Sequence, residues 1–170
     1  HWMPRKNPLD AEAVLMGIQR AAFRHSNGWH GYHLQGLSHQ KIAQSLNGAR
    51  LFLSFGHPEG FGLPIAEAMA AGCWVVGYGG GGGSELFRLG PSEEVGFGEW
   101  TQFVAAVGRA FTAFHEKPRE TDLCLQRQAL AINSLYSHAQ ERASIAIAWE
   151  CIERAFHQWH QSIKKDELIS

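Results

Sequence analysis

The sequence has few cysteines, no excess charge of either sign and no long apolar run. Its 3 cysteines are widely spaced and form no Cys-x-x-Cys pair, which argues against a disulfide framework or a zinc site and favours buried, reduced thiols in a cytoplasmic protein. The net charge is −1, so the basic surface that nonspecific nucleic-acid binding requires is missing. No stretch approaches the ~20 apolar residues of a transmembrane helix. We therefore expect neither a nucleic-acid partner nor a transmembrane segment.

The length and composition predict one domain. At 170 residues, of which 45% are hydrophobic, the chain can bury one sizeable core but is short for two domains of ordinary size. We assign residues 1–163 to this domain and residues 164–170 to a polar C-terminal tail. Only a short segment interrupted by Pro4 and Pro8 precedes the first helical pattern. We therefore expect the first strand of the domain to be truncated.

Apolar spacing and helix-end signals predict alternating helices and strands. Helices are expected over residues 9–26, 39–46, 64–71, 101–114, 120–135 and 138–163. Strands are expected over residues 29–34, 51–55, 74–78 and 94–97. The order is typical of an α/β fold in which helices sandwich a Rossmann-like parallel sheet, with a long C-terminal helix at the end. In that last helix, large apolar residues recur every three or four positions and predict one apolar stripe.

Residues 51–72 form the most informative stretch. A buried strand leads into a loop with glycines, then into a helix that begins at Pro64 and stops at Gly72. In a parallel sheet, ligands bind beyond the carboxyl ends of the strands, where loops lead into helix N-termini whose free amides attract phosphate and sugar oxygens. Gly60 and Gly62 would let the backbone approach such a ligand closely. The stretch therefore predicts a binding site for an oxygen-rich ligand.

Two glutamates flank this turn. Glu59 lies in the loop, and Glu67 lies in the expected first turn of the helix, so both can face one cleft. An ionised carboxylate only accepts hydrogen bonds, which suits hydroxyl donors such as a ribose and a sugar ring. The spacing alone leaves a simpler interpretation open. Glu67 would then only stabilise the helix N-terminus, and Glu59 would be a solvated loop residue.

Residues 59–72 read Glu-Gly-Phe-Gly-Leu-Pro-Ile-Ala-Glu-Ala-Met-Ala-Ala-Gly and are followed by Val75-Val76 and a glycine run with Glu85. This stretch resembles the C-terminal, donor-binding domain of retaining glycosyltransferases of the GT-B fold, the group 1 or GT4 family. The spacing from Glu59 to Glu67 is the Glu-x7-Glu of that family. The predicted order of strands and helices from Leu9 to about Trp159 is compatible with one half of a GT-B fold.

The resemblance implies transfer of a hexose from a nucleotide-diphosphate sugar to an unknown acceptor, with retention of configuration and without a cofactor or an obligatory metal. It implies that Glu59 is the catalytic residue and binds hydroxyls of the transferred sugar, while Glu67 binds the ribose. The remaining donor-binding residues that it implies are Gly60, Phe61, Gly62 and Leu63, through their backbone amides, and Lys6 with Arg5, which would neutralise the diphosphate.

The family also has an N-terminal domain that binds the acceptor, and no part of this sequence corresponds to it. We therefore expect that domain, or a partner chain that replaces it, to be needed for turnover, and the 170 residues alone to bind nucleotide weakly and transfer nothing. The alternative is a non-catalytic module that binds nucleotide sugars or another protein.

Two other interpretations have less support. The run from Gly77 to Gly82 satisfies the G-x-G-x-x-G pattern of dinucleotide-binding enzymes, but five consecutive glycines satisfy it trivially. The 10 histidines suggest a metal site, yet His30 and His33 would face opposite sides of their predicted strand. His157 and His160 would share one face of the last predicted helix, but without the further ligands that complete a zinc site.

Overall fold

The computed structural model describes residues 1–3 and 6–167, with side chains as far as residue 160. The chain forms two compact units, one over residues His1–Ile132 and a second that begins at Asn133. The elements, in chain order, are helix α1 (Pro8–Ala21), helix α2 (His39–Asn47), strand β1 (Leu51–Ser54), helix α3 (Leu63–Ala70), strand β2 (Trp74–Gly77), a 3₁₀ helix (Ser84–Leu89), strand β3 (Glu93–Glu94), and helices α4 (Trp100–Glu116), α5 (Pro118–Leu135) and α6 (His138–Glu167).

The first unit is built on a parallel sheet with the strand order β1-β2-β3. All residues of β1 and β2 are buried, as expected for strands covered on both faces. On one face, Leu53 and Val76 pack with α1 and α4; on the other, Phe52 and Val75 pack with α2 and α3. The predicted α/β fold, with a Rossmann-like parallel sheet between helices, is confirmed.

The predicted strand over residues 29–34 is wrong. His33 makes only a single parallel bridge with Trp2, supported by hydrogen bonds from the Trp2 amide to the Tyr32 carbonyl (3.1 Å) and from the Leu34 amide to the Trp2 carbonyl (2.8 Å). Trp2 also pairs with Leu53 of β1, so Trp2 lies between residues 32–34 and the sheet. The segment 29–34 therefore pairs with a single residue, Trp2, and does not form a strand.

Other boundaries differ by a few residues. Helix α1 ends at Ala21 rather than near Ser26, because Ala22 adopts a left-handed conformation with φ of 42°. Strand β3 has two residues, and the 3₁₀ helix that precedes it was not predicted. Helix α6 continues to Glu167, past the expected end at Ile163, and the last three residues of the predicted tail lie outside the described residues.

Helix α6 carries the expected apolar stripe. Ile145, Trp149, Ile152, Phe156 and Trp159 follow one another along the helix, and each is more than half exposed. Within the described residues, no helix is long and apolar enough to cross a membrane.

The expectation that all three cysteines are buried is correct only for Cys73. Its thiol lies within hydrogen-bond distance of the carbonyls of Leu46 (3.4 Å) and Ala49 (3.5 Å), and burial raises its pKa to about 11. Cys124 is half-buried and Cys151 is exposed. The spacing of cysteines along a sequence does not determine which face of a helix each occupies, and both of these lie on helices.

A buried polar network connects α5 to the sheet. Gln128 has no exposed surface; its side-chain amide donates to the Cys73 carbonyl (3.0 Å) and accepts from the Ser92 hydroxyl (2.8 Å). Ser92 in turn accepts from the Val75 amide of β2 (2.8 Å). Every polar atom in this chain of contacts has a partner, as buried polar groups require.

We predict that Gln128→Leu lowers the free energy of unfolding by about 1–3 kcal/mol, because the Cys73 carbonyl and the Ser92 hydroxyl would lose their buried partner. Chemical denaturation measures this difference. The matched control is Gln126→Leu, two residues earlier on the same helix, where the side chain is exposed. Equal effects of the two substitutions would contradict the structural role of Gln128.

Candidate functional site

A cavity of about 480 Å³ opens beyond the carboxyl end of β1. It brings together six of the residues that the sequence predicted to bind a ligand, namely Lys6, Glu59, Phe61, Gly62, Leu63 and Glu67. Gly60 is exposed and does not line it. Arg5 lies outside the described residues.

The cavity is also lined by residues that were not predicted to bind a ligand, including Met3, His39, Ile42 and Ser54. These four lie on three separate segments, and only the packing of α2 beside the sheet brings His39 and Ile42 to this site. A second cavity of about 430 Å³ shares His39, Ile42 and Glu67 with the first and extends between α2 and α3. The cleft is therefore longer than the Glu59–Glu67 turn alone.

The loop that carries Glu59 lies directly against the glycine run that follows β2. The Glu59 amide donates to the Gly80 carbonyl (2.8 Å), and the Gly82 amide donates to the Glu59 carbonyl (3.2 Å). A Cβ on Gly80 would lie 2.5 Å from the Glu59 Cβ, and one on Gly82 would lie 1.5 Å from the Gly60 carbonyl oxygen. Only glycines allow the two backbones to approach this closely.

Two amides of the glycine run are hydrogen-bonded within the protein and so are not free for a ligand. The amide of Gly82 is bonded to Glu59, and that of Gly83 to the Gly79 carbonyl (2.9 Å). The glycine run therefore supports the site loop, which the G-x-G-x-x-G pattern did not indicate.

We predict that Gly82→Ala destabilises the protein by about 1–3 kcal/mol, because the added methyl group would force the two loops apart. Thermal or chemical unfolding measures the effect. Gly48→Ala is the control, since its φ of −93° suits alanine and its Cβ would meet only ordinary contacts, the nearest at 3.7 Å. A loss of stability from Gly82→Ala that is no larger than the loss from Gly48→Ala would contradict the proposed close contact.

Glu59 is held by an ion pair. Its Oε1 lies 2.8 Å from the Lys6 Nζ, which also donates to the Pro58 carbonyl (3.0 Å). The two side chains are 39% (Lys6) and 23% (Glu59) exposed, so the pair is partly shielded from water. Glu59 is therefore a fixed, half-buried carboxylate, and the interpretation of it as a solvated loop residue is wrong.

The start of α3 differs from the expectation in two details. The helix begins at Leu63, after Gly62 in a left-handed conformation, so Pro64 is its second residue and Glu67 lies in its second turn. The amides of Ile65 and Ala66 both donate to the Gly62 carbonyl, and Pro64 has no amide hydrogen. Among the first four helical residues, only Leu63 therefore retains an amide for a ligand. Glu67 is exposed and still faces the cavity.

Two aromatic side chains support the loop. Phe61 packs against the core on the α2 and α3 face of the sheet, as expected of an anchor beneath the loop. His57 stacks on Phe97 with the ring centres 4.2 Å apart. The described residues contain no group of three or more side chains that could hold a metal ion.

The family model described as glycosyl transferases group 1 matches residues 20–117, which include the whole loop, both glutamates and the glycine run. The chain belongs to the group 1 glycosyltransferases. The match contains the loop whose contacts are described above, so in this group 1 chain the family's sequence pattern coincides with a defined cavity.

This group 1 chain is also similar to an alpha-1,6-glucosyltransferase of Actinobacillus pleuropneumoniae serotype 7 (strain AP76). The two are 32% identical over 95 residues, which cover 54% of this chain and 29% of that protein. The chain thus spans less than a third of the relative that it matches. No solved structure matches it significantly.

Proposed function

We propose that this chain is the donor-binding part of a glycosyltransferase that transfers a hexose from a nucleotide-diphosphate sugar with retention of configuration. The observation that carries the proposal is that Lys6, Glu59 and Glu67 line one cavity at the carboxyl end of the parallel sheet. The family match and the similarity to a glucosyltransferase support the same function.

The cavity offers a different partner to each part of such a donor. In the proposal, Glu67 accepts hydrogen bonds from the ribose hydroxyls, and Glu59 accepts them from the transferred sugar. The ammonium group of Lys6 supplies positive charge to the diphosphate. The apolar side chains of Met3, Ile42 and Phe52 form a wall suited to one face of the nucleotide base.

In this proposal, Lys6 lies between the sugar and the diphosphate of the donor. It pairs with Glu59 and would also contact the phosphates, so the sugar-binding carboxylate and the diphosphate would share one cation. A departing nucleoside diphosphate gains negative charge, and a fixed cation stabilises that charge without rearrangement. Glu59 would at the same time lie beside the carbon at which the sugar is transferred.

We predict that UDP, GDP or ADP and the corresponding glucose conjugate raise the melting temperature of this chain. A ligand at 100 times its Kd stabilises a protein by about 2.7 kcal/mol. Glu67→Gln should weaken the nucleotide and the nucleotide sugar alike by about 10–100-fold, because a hydrogen bond to a charged group contributes about 1.5–3 kcal/mol. Glu59→Gln should weaken only the nucleotide sugar. Thermal shift and calorimetry measure both.

The control for these variants is Glu12→Gln, an exposed glutamate on α1 that does not line the cavity. It should leave both affinities unchanged. Nucleotide binding that is insensitive to Glu67→Gln would contradict the proposed site. Absence of any nucleotide binding would favour the alternative of an interaction module.

We further infer that residues 1–170 bind a donor without transferring its sugar, because the resemblance implies a separate acceptor-binding domain and the match covers only 29% of the glucosyltransferase. We predict no transfer of radiolabelled sugar from the preferred donor to any of a panel of sugar acceptors. Product formation above a protein-free background would contradict this inference.

A further inference from the structure

Asn7 occupies the N-cap position of α1 but does not cap it. Asparagine is among the best N-cap residues because its side-chain oxygen can accept from a free amide of the first turn. In this chain the Asn7 side chain makes no such bond. The helix instead begins with Pro8, and the backbone carbonyl of Asn7 accepts from the Ala11 amide (3.1 Å).

The side-chain amide of Asn7 binds the loop that leads to Glu59. Its Nδ2 donates to the carbonyl of Phe55 (2.7 Å) and to that of His57 (3.1 Å). A side-chain amide carries two N–H donors, so both are used on this loop. The two acceptors lie four and two residues before Glu59 in the sequence.

Lys6, the neighbouring residue, binds the same loop through the Pro58 carbonyl and the Glu59 carboxylate. Two consecutive residues before α1 therefore hold one side of the loop, while Gly80 and Gly82 hold its other side through backbone bonds. Of the two, only Lys6 was predicted as part of the site. Asn7 makes its contacts without lining the cavity.

We propose that Asn7 is a positioning residue for Glu59. By bonding two carbonyls of the turn after β1, it determines where the Glu59 backbone leaves the sheet and hence where its carboxylate lies in the cavity. The consequence for donor binding rests on the function proposed above, whereas the positioning itself does not. Small displacements of a reacting group reduce activity strongly, so a second anchor beside Lys6 is consistent with such a role.

The two possible roles of Asn7 can be separated by Asn7→Ser and Asn7→Asp. Serine and aspartate cap helices about as well as asparagine, so either preserves or improves the start of α1. Neither can donate to both carbonyls: aspartate has no donor, and serine has one on a shorter side chain. Because serine is uncharged, agreement between the two variants excludes an effect of added charge near Lys6. Asn27→Ser, at an exposed turn, is the matched control.

Amide hydrogen exchange reports the positioning directly. We expect both variants to speed exchange in residues 56–61, including the Glu59 amide that donates to Gly80, by about tenfold, while amides of α1 exchange as before. Faster exchange in the first turn of α1 with an unchanged loop would show that Asn7 serves the helix and would overturn the proposal. Unchanged amide exchange of residues 56–61 in both variants would also overturn the proposal.

Ligand affinity then tests the consequence for the site. We expect Asn7→Ser to weaken binding of the glucose conjugate about tenfold and to leave binding of the free nucleoside diphosphate unchanged, because only the sugar depends on Glu59. Equal weakening of both ligands, or of neither, would overturn this part of the inference. If the unmodified chain binds no nucleotide, the proposed function fails, and the exchange experiment still decides whether Asn7 positions the loop.

Discussion

The site depends on the contact between two backbone segments, the loop before α3 and the glycine run after β2. Their hydrogen bonds join Glu59 to Gly80 and Gly82, and the available space at Gly80 and Gly82 admits no side chain. The parallel pairing of β1 with β2 brings the two segments side by side, since both follow the carboxyl ends of neighbouring strands. Sheet topology and glycine content thus act together to fix one carboxylate.

The segment before α1 completes this arrangement from the opposite side. Lys6 and Asn7 bind the loop, and Asp10 in the first turn of α1 accepts a hydrogen bond from the Tyr78 hydroxyl (2.8 Å). Burial, reinforced by this bond to Asp10, raises the Tyr78 pKa to about 12, so the hydroxyl keeps its proton well above the pH at which an ordinary tyrosine ionises. The start of α1 and the two residues before it therefore contact the segments that follow β1 and β2.

The sequence was most informative where burial dictates residue type. The runs of β1 and β2 and the Ser38 start of α2 were predicted closely, because strands covered on both faces are continuously apolar and helix starts have capping residues. The strand over residues 29–34 was predicted wrongly, because a strand needs a neighbouring strand to pair with, and the local sequence pattern does not show whether one is present.

The candidate site, too, could be predicted only in part from the sequence. Glu59, Glu67 and Lys6 were predicted as site residues from a family resemblance, and all three line one cavity, while their roles stay predictions. The roles of Asn7 and of the glycine run could not be predicted, since each depends on carbonyls that are distant in sequence. An asparagine before a proline indicates a helix N-terminus, and nothing local indicates that its side chain bonds elsewhere.

The most direct test of this account is a crystal structure of the chain with a bound nucleotide sugar. We expect the ribose hydroxyls within hydrogen-bond distance of the Glu67 carboxylate, and a hydroxyl of the sugar within hydrogen-bond distance of Glu59. The diphosphate should lie near the Lys6 ammonium group. A nucleotide bound along the glycine run at residues 77–82, or outside the cavity that contains both glutamates, would contradict it.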